Sequence, residues 1–107
     1  MVDKSKGHIE NVHIRELSQT IKGKFNPQRI ILFGSHGYGM PTKGSDIDLF
    51  VIMDTPIPVK RQAFLIRREL KSSVPVDVIV RTPQQVEERL KLGDFFIKRI
   101  MEKGIEL

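Results

Sequence analysis

Cysteine is absent from the 107 residues, which excludes disulfides and thiolate-ligated zinc and agrees with a reducing, cytoplasmic setting. No run approaches the roughly 18 consecutive apolar residues of a membrane span. The stretch Met1 to Glu10 is polar, so no secretory leader is expected there. Internal repeats and low-complexity tracts are missing. Aromatic residues do not interleave with basic ones as they do in single-strand binders, so nucleic acid is not a favoured partner.

What is present is an ordinary globular composition, with 39% hydrophobic and 29% charged residues. That length suits one domain spanning residues 1–107 and a modest core. Eighteen Lys and Arg against 13 Asp and Glu give a formal charge of +5. Such a balance suits an anionic substrate or partner: a nucleotide, a nucleic acid or an acidic protein surface. The charges are scattered, however, and most of the lysines read as solvated helix faces, as do Lys60-Arg61 and Arg67-Arg68.

Ile9, Val12, Leu17 and Ile21 recur at helical spacing, predicting an amphipathic helix from His8 to about Lys24 that Asn26-Pro27 ends. Arg29 to Phe33 is a short apolar run that stops at Gly34, as a buried strand would. Gly34 to Ser45 is a turn-rich loop with room for one helical turn. Asp46 to Met53 is the next strand, alternating at first and then wholly apolar. Val59, Ala63, Ile66 and Leu70 draw one apolar stripe on a basic helix. Val74 to Val80, rich in β-branched residues, predicts a third strand.

Thr82-Pro83-Gln84-Gln85 is a capping box opening a helix with Val86 and Leu90 on its apolar side. Asp94 caps a last helix carrying Phe96, Ile97 and Ile100, which Gly104 closes; Phe95-Phe96 is expected in the core. His8 and His13 are expected to be solvated. The fold class that results is α/β: a small mixed sheet with helices packed against it.

Asp46 and Asp48 stand two apart at a strand's start, so their carboxylates share a face. A hard divalent cation such as Mg²⁺ relieves their repulsion and completes its shell with water and phosphate oxygens. Asp77 lies among apolar neighbours, where a carboxylate is costly unless paired or metal-bound. An edge strand facing water, or a bond to Arg29 or Arg81, would satisfy it equally. If its strand lies beside that of Asp48, three carboxylates converge and a metal site explains them better. Gly34-Ser35 offers a tight turn, approachable backbone N–H groups and a hydroxyl, and a helical turn beginning there would favour phosphate. His36 in the same loop is as well explained by a plain loop role as by a phosphate contact.

A strand, Gly34-Ser35, the ten residues from His36 to Ser45, Asp46-x-Asp48 and a later strand Asp follow in order. This constellation resembles the minimal nucleotidyltransferases of the polymerase-β-like superfamily over about Arg29 to Val80. The resemblance implies a palm-like fold, triphosphate binding by Gly34 and Ser35, and two Mg²⁺ ions held by Asp46, Asp48 and Asp77. Asp77 would also help to activate the incoming hydroxyl. Many relatives have Ala-Arg-Gly after Gly-Ser-x, where this chain has Gly37-Tyr38-Gly39. Tyr38 would then face the base or phosphate, and Lys43 would supply the positive charge.

Without an added acceptor domain, the chain resembles the antitoxin half of HEPN/MNT toxin–antitoxin pairs. That implies transfer of AMP from ATP to a tyrosine of a helical HEPN ribonuclease partner. The alternatives are a contact-only antitoxin, or a transferase for an antibiotic-like small acceptor or RNA end, whose pocket a homodimer would complete.

Overall fold

The computed structural model describes residues 4–41 and 45–107, with side chains from Val12 onward; Lys43 and the side chain of His8 lie outside that range. Helix α1 (Lys4–Phe25) leads through a turn into β1 (Arg29–Phe33). Asn26 ends the helix in the left-handed region, φ 50°, a conformation that asparagine tolerates, and Pro27 follows. One helical turn, α2 (Gly34–Gly37), stands directly on the end of β1, and β2 (Ile47–Ile52) returns antiparallel to β1. Helix α3 (Val59–Arg68) crosses over to β3 (Val76–Arg81), which lies parallel to β2. Helices α4 (Pro83–Lys91) and α5 (Phe95–Lys103) follow. A two-residue strand, β4 (Ile105–Glu106), pairs antiparallel with β1. The sheet order is β3-β2-β1-β4, so the α/β fold with a mixed sheet is as expected and β4 is an addition.

Strand alternation sends the sheet's side chains to two cores. On one face Ile30, Leu32, Leu49, Val51 and Val80 meet Leu17 and Ile21 of α1 and Ile66 of α3. On the other, Ile31, Phe33, Phe50 and Ile52 meet Val86 of α4 and Ile97 and Ile100 of α5. Both cores explain why β1 and β2 read as continuous apolar runs: a strand covered on both faces has no polar side.

β3 is an edge strand. Arg67 Nε donates to the carbonyl of Val76 at 2.7 Å and an Arg81 guanidinium nitrogen donates to that of Val80 at 2.7 Å, so side chains occupy part of the outer edge. Both features discourage a further strand from pairing there. Arg67 is therefore more than a solvated charge.

Several local expectations are corrected. Leu90 is exposed although it shares a helix with the buried Val86. Phe95 and Phe96 are 83% and 52% exposed, because Ile97 and Ile100 fill the core side of α5. His13 is not simply solvated: its Nε2 lies 2.9 Å from Ser72 Oγ, tying α1 to the turn before β3. Gly104 ends α5 at an ordinary φ of −68° rather than a left-handed one. Its lack of a side chain answers close packing instead, since a β-carbon there would collide with Ile31 and with the carbonyl of Ile100.

Candidate active site

Register places the acidic residues. In the parallel pair β2–β3, Asp48 is the direct partner of Asp77, and in the antiparallel pair β1–β2 it stands opposite Phe33. By alternation Asp48 shares its face with Phe50 and Ile52, the face that α4 and α5 cover further along. Asp46 precedes the first residue of β2 and is exposed. The three carboxylates therefore belong to one end of two adjacent strands, just past the covered core.

Asp48 is the half-buried member of the set, whereas Asp77 is exposed on its edge strand. The desolvation argued for Asp77 from its apolar neighbours thus falls on Asp48, because those neighbours point away to the two faces while Asp77 meets water at the sheet's margin. Burial pushes the Asp48 carboxyl above its ordinary range, and the negative charges of Asp77 and Asp46 push it the same way. A side-chain hydrogen bond with Asp77 adds to this, and His36 acts in the opposite direction. Neither arginine proposed as a partner for Asp77 serves it: Arg29 pairs with Glu106, and Arg81 bonds the Val80 carbonyl.

Gly34 explains why the loop can come so close. It opens α2 with φ +67°, and a β-carbon built on it would overlap the Asp48 carboxylate. Only glycine satisfies both the left-handed backbone and the contact. Ser35 follows, its carbonyl accepting from the Met40 N–H at 2.8 Å, and the Gly34 carbonyl accepts from Tyr38 N–H at 2.9 Å. Gly37 sits flush on β1, where a β-carbon would strike the Leu32 carbonyl. The turn is thus clamped between strand end and carboxylate, and His36 Nε2 reaches the Ser45 carbonyl at 3.2 Å across the loop.

Tyr38 caps the end of this turn. Its ring is covered by the Arg99 guanidinium of α5, 4.5 Å from the ring centroid. This neighbour was not legible in the sequence, since nothing in the periodicity of α5 marks Arg99 apart from other basic residues. Phe96, at the start of the same helix, meets Phe33 edge-on with centroids 5.7 Å apart.

Among the described residues, no group of three or more His, Asp or Glu side chains is gathered tightly enough to cage a metal ion. The donor chemistry nonetheless fits a cation. Asp48 and Asp77 are hard oxygen donors side by side, and their mutual repulsion is what a divalent ion would remove. A cleft of about 450 Å³ opens beside Asp77, bordered by Phe64 and Arg67 of α3. No described helix is long and apolar enough to cross a membrane.

Comparison with curated proteins gives no significant match. The family profile described as a nucleotidyltransferase domain matches residues 14–107, which take in the second half of α1, every later element and all of the acidic site. The chain therefore belongs to the nucleotidyltransferase-domain family.

Proposed function

We propose that the chain transfers AMP from ATP to a tyrosine hydroxyl of a HEPN-type partner toxin, as a cytoplasmic antitoxin using two Mg²⁺ ions. The observation that carries the reading is the pairing of Asp48 with Asp77 across β2–β3, with Gly34 pressed against Asp48. In this reading Asp46 and Asp48 hold the metal ions, Asp77 contributes to the second, and the backbone at Gly34 and Ser35 receives the triphosphate. Bound Mg²⁺ would supply charge neutralisation for the phosphates and acidify the attacking hydroxyl.

The remaining work belongs to the chain. Asp77, exposed at the sheet margin, faces solvent from which an acceptor can approach. It accepts the proton of the acceptor O–H as the oxygen bonds to the α-phosphorus. The bond from that phosphorus to the bridging oxygen breaks, and pyrophosphate leaves with the electron pair. Gly34 fixes the distance between triphosphate and carboxylates, and positioning of this kind is the main protein contribution in phosphate transfer.

Intact mass measurement of the co-purified partner tests this. An adenylate adduct is expected with the native chain and not with Asp46→Ala/Asp48→Ala; an adduct that persists removes this chain as its source. A contact-only antitoxin is the second reading. It draws on Tyr38, already covered by Arg99 where many relatives place a loop arginine. It expects the double variant to neutralise the partner as well as the native chain does.

A further inference from the structure

We propose that the groove between α2 and α5 docks an acidic segment of a partner protein, anchored by an apolar side chain. The groove has a volume of about 510 Å³ and is lined by Tyr38, Met40, Phe95, Lys98, Arg99 and Lys103. None of Asp46, Asp48 and Asp77 lines it, so it is a surface apart from the acidic site.

Its apolar part is exposed beyond what solvation explains. Phe95 is 83% exposed and Met40 70%, and both line the groove. Large apolar side chains gathered at one margin mark an interaction surface, whereas scattered ones do not. Methionine adapts to varied apolar anchors.

The charge is one-sided. Three cations face one acid, Glu102, whose carboxylate is already 4.0 Å from Lys98 Nζ on the same helix. Lys103 has no ion pair among the described residues. The Arg99 guanidinium carbon lies 4.5 Å from the centre of the Tyr38 ring, and a guanidinium held over an aromatic face still carries N–H donors that can take a carboxylate. Acidic groups with an apolar anchor complement this combination. Nucleic acid complements it less well, because Tyr38 is already covered by Arg99 and Phe95 is then the one aromatic face among the lining residues left open to a base, where single strands use successive platforms. Helix α5 runs nine residues, about 13 Å, which matches about four residues of extended peptide.

This names a surface for the protein acceptor and so deepens the reading above, but it is tested by binding without nucleotide or metal. Its failure therefore leaves transfer untouched, and the failure of transfer leaves docking untouched. The probe is a dodecapeptide of Glu and Asp with a central Phe and Leu, titrated into the ¹⁵N-labelled full chain. Amide shifts are expected at Gly37, Met40, Phe95, Lys98 and Lys103. Phe95→Ser and the pair Lys98→Glu/Lys103→Glu should each weaken binding about tenfold. All three side chains are exposed, and unchanged spectra elsewhere would show that the variants fold.

The proposal is overturned by any of four results. These are no groove shifts at millimolar peptide, equal binding by the variants, equal shifts with a Lys-substituted peptide, or an oligothymidylate of the same charge moving these amides at lower concentration.

Discussion

Asp48 is held at a cost. A half-buried carboxylate beside two others retains its proton to higher pH in the folded chain than in the unfolded one. The sign follows from linkage: folding is favoured as pH falls through the raised value, and above it the ionised group opposes folding. Asp48→Asn removes the charge and gives Asp77 an amide donor. In metal-free buffer that variant should therefore gain about 2 °C in Tm, a small figure because Asp48 is only partly shielded from water. Its transfer rate should fall at least about a hundredfold. Mg²⁺ should raise the Tm of the native chain and leave that of Asp48→Asn unchanged. A native chain whose Tm ignores Mg²⁺ would sink the metal assignment.

Gly34 is the complementary case. The spacing of Gly34-Ser35 and Asp46-x-Asp48 was legible because the chemistry is local to a strand end and a turn. That Gly34 touches Asp48 was not, since the contact depends on the β1–β2 register that sets Phe33 opposite Asp48. Gly34→Ala should cost about 1–2 kcal/mol from the left-handed backbone, and the displaced Asp48 should abolish nucleotide binding. Calorimetry with ATP and denaturant unfolding read the two effects separately. Retained ATP affinity would mean that the carboxylate and the phosphate turn are independent.

Among the elements, α4 was the most legible. Thr82 Oγ1 accepts from Gln85 N–H at 3.1 Å, and Gln85 Oε1 accepts from Thr82 N–H at 2.9 Å, the reciprocal box that the sequence announces. Thr82→Ala should lower stability by about 1 kcal/mol in urea titration; an unchanged midpoint would show that α4 is held by Val86 alone. Helix α5 was legible in extent but not in orientation. Phe95, Phe96, Ile97 and Ile100 are all apolar, and composition cannot say which of them the core takes when a helix presents too wide a stripe. The exposed pair is now accounted for by the groove and by the contact of Phe96 with Phe33. Strand β4 had no signal at all, because two residues carry no periodicity and neither its backbone ladder to β1 nor the Arg29–Glu106 ion pair leaves a mark in the local sequence.

Across the whole molecule, three ion pairs each join two elements: Lys24–Glu69 from α1 to the end of α3, Arg29–Glu106 from β1 to β4, and Arg89–Asp94 from α4 to the cap of α5. In each, the partner cation or the cap's backbone N–H holds the carboxyl below its ordinary range. For Glu69 and Glu106 the hydrogen bond from Lys24 or Arg29 leads, and for Asp94 it is the Ile97 N–H.

Depressed values give the opposite sign to Asp48. Their contribution is complete above the unfolded carboxyl range, near pH 4–4.5, and is lost as pH falls through the lower folded values. Below that range the chain also keeps its 18 Lys and Arg while losing its negative charges. Self-repulsion then adds to the loss of the pairs. Tm should therefore hold nearly level from about pH 8 to 5 and fall steeply below about pH 4. Salt separates the two causes. At neutral pH the pairs are exposed and added NaCl should change Tm little, whereas at pH 3 screening should restore part of the loss. A Tm at pH 3 that does not respond to salt would mean that the lost pairs, not the accumulated charge, drive acid unfolding.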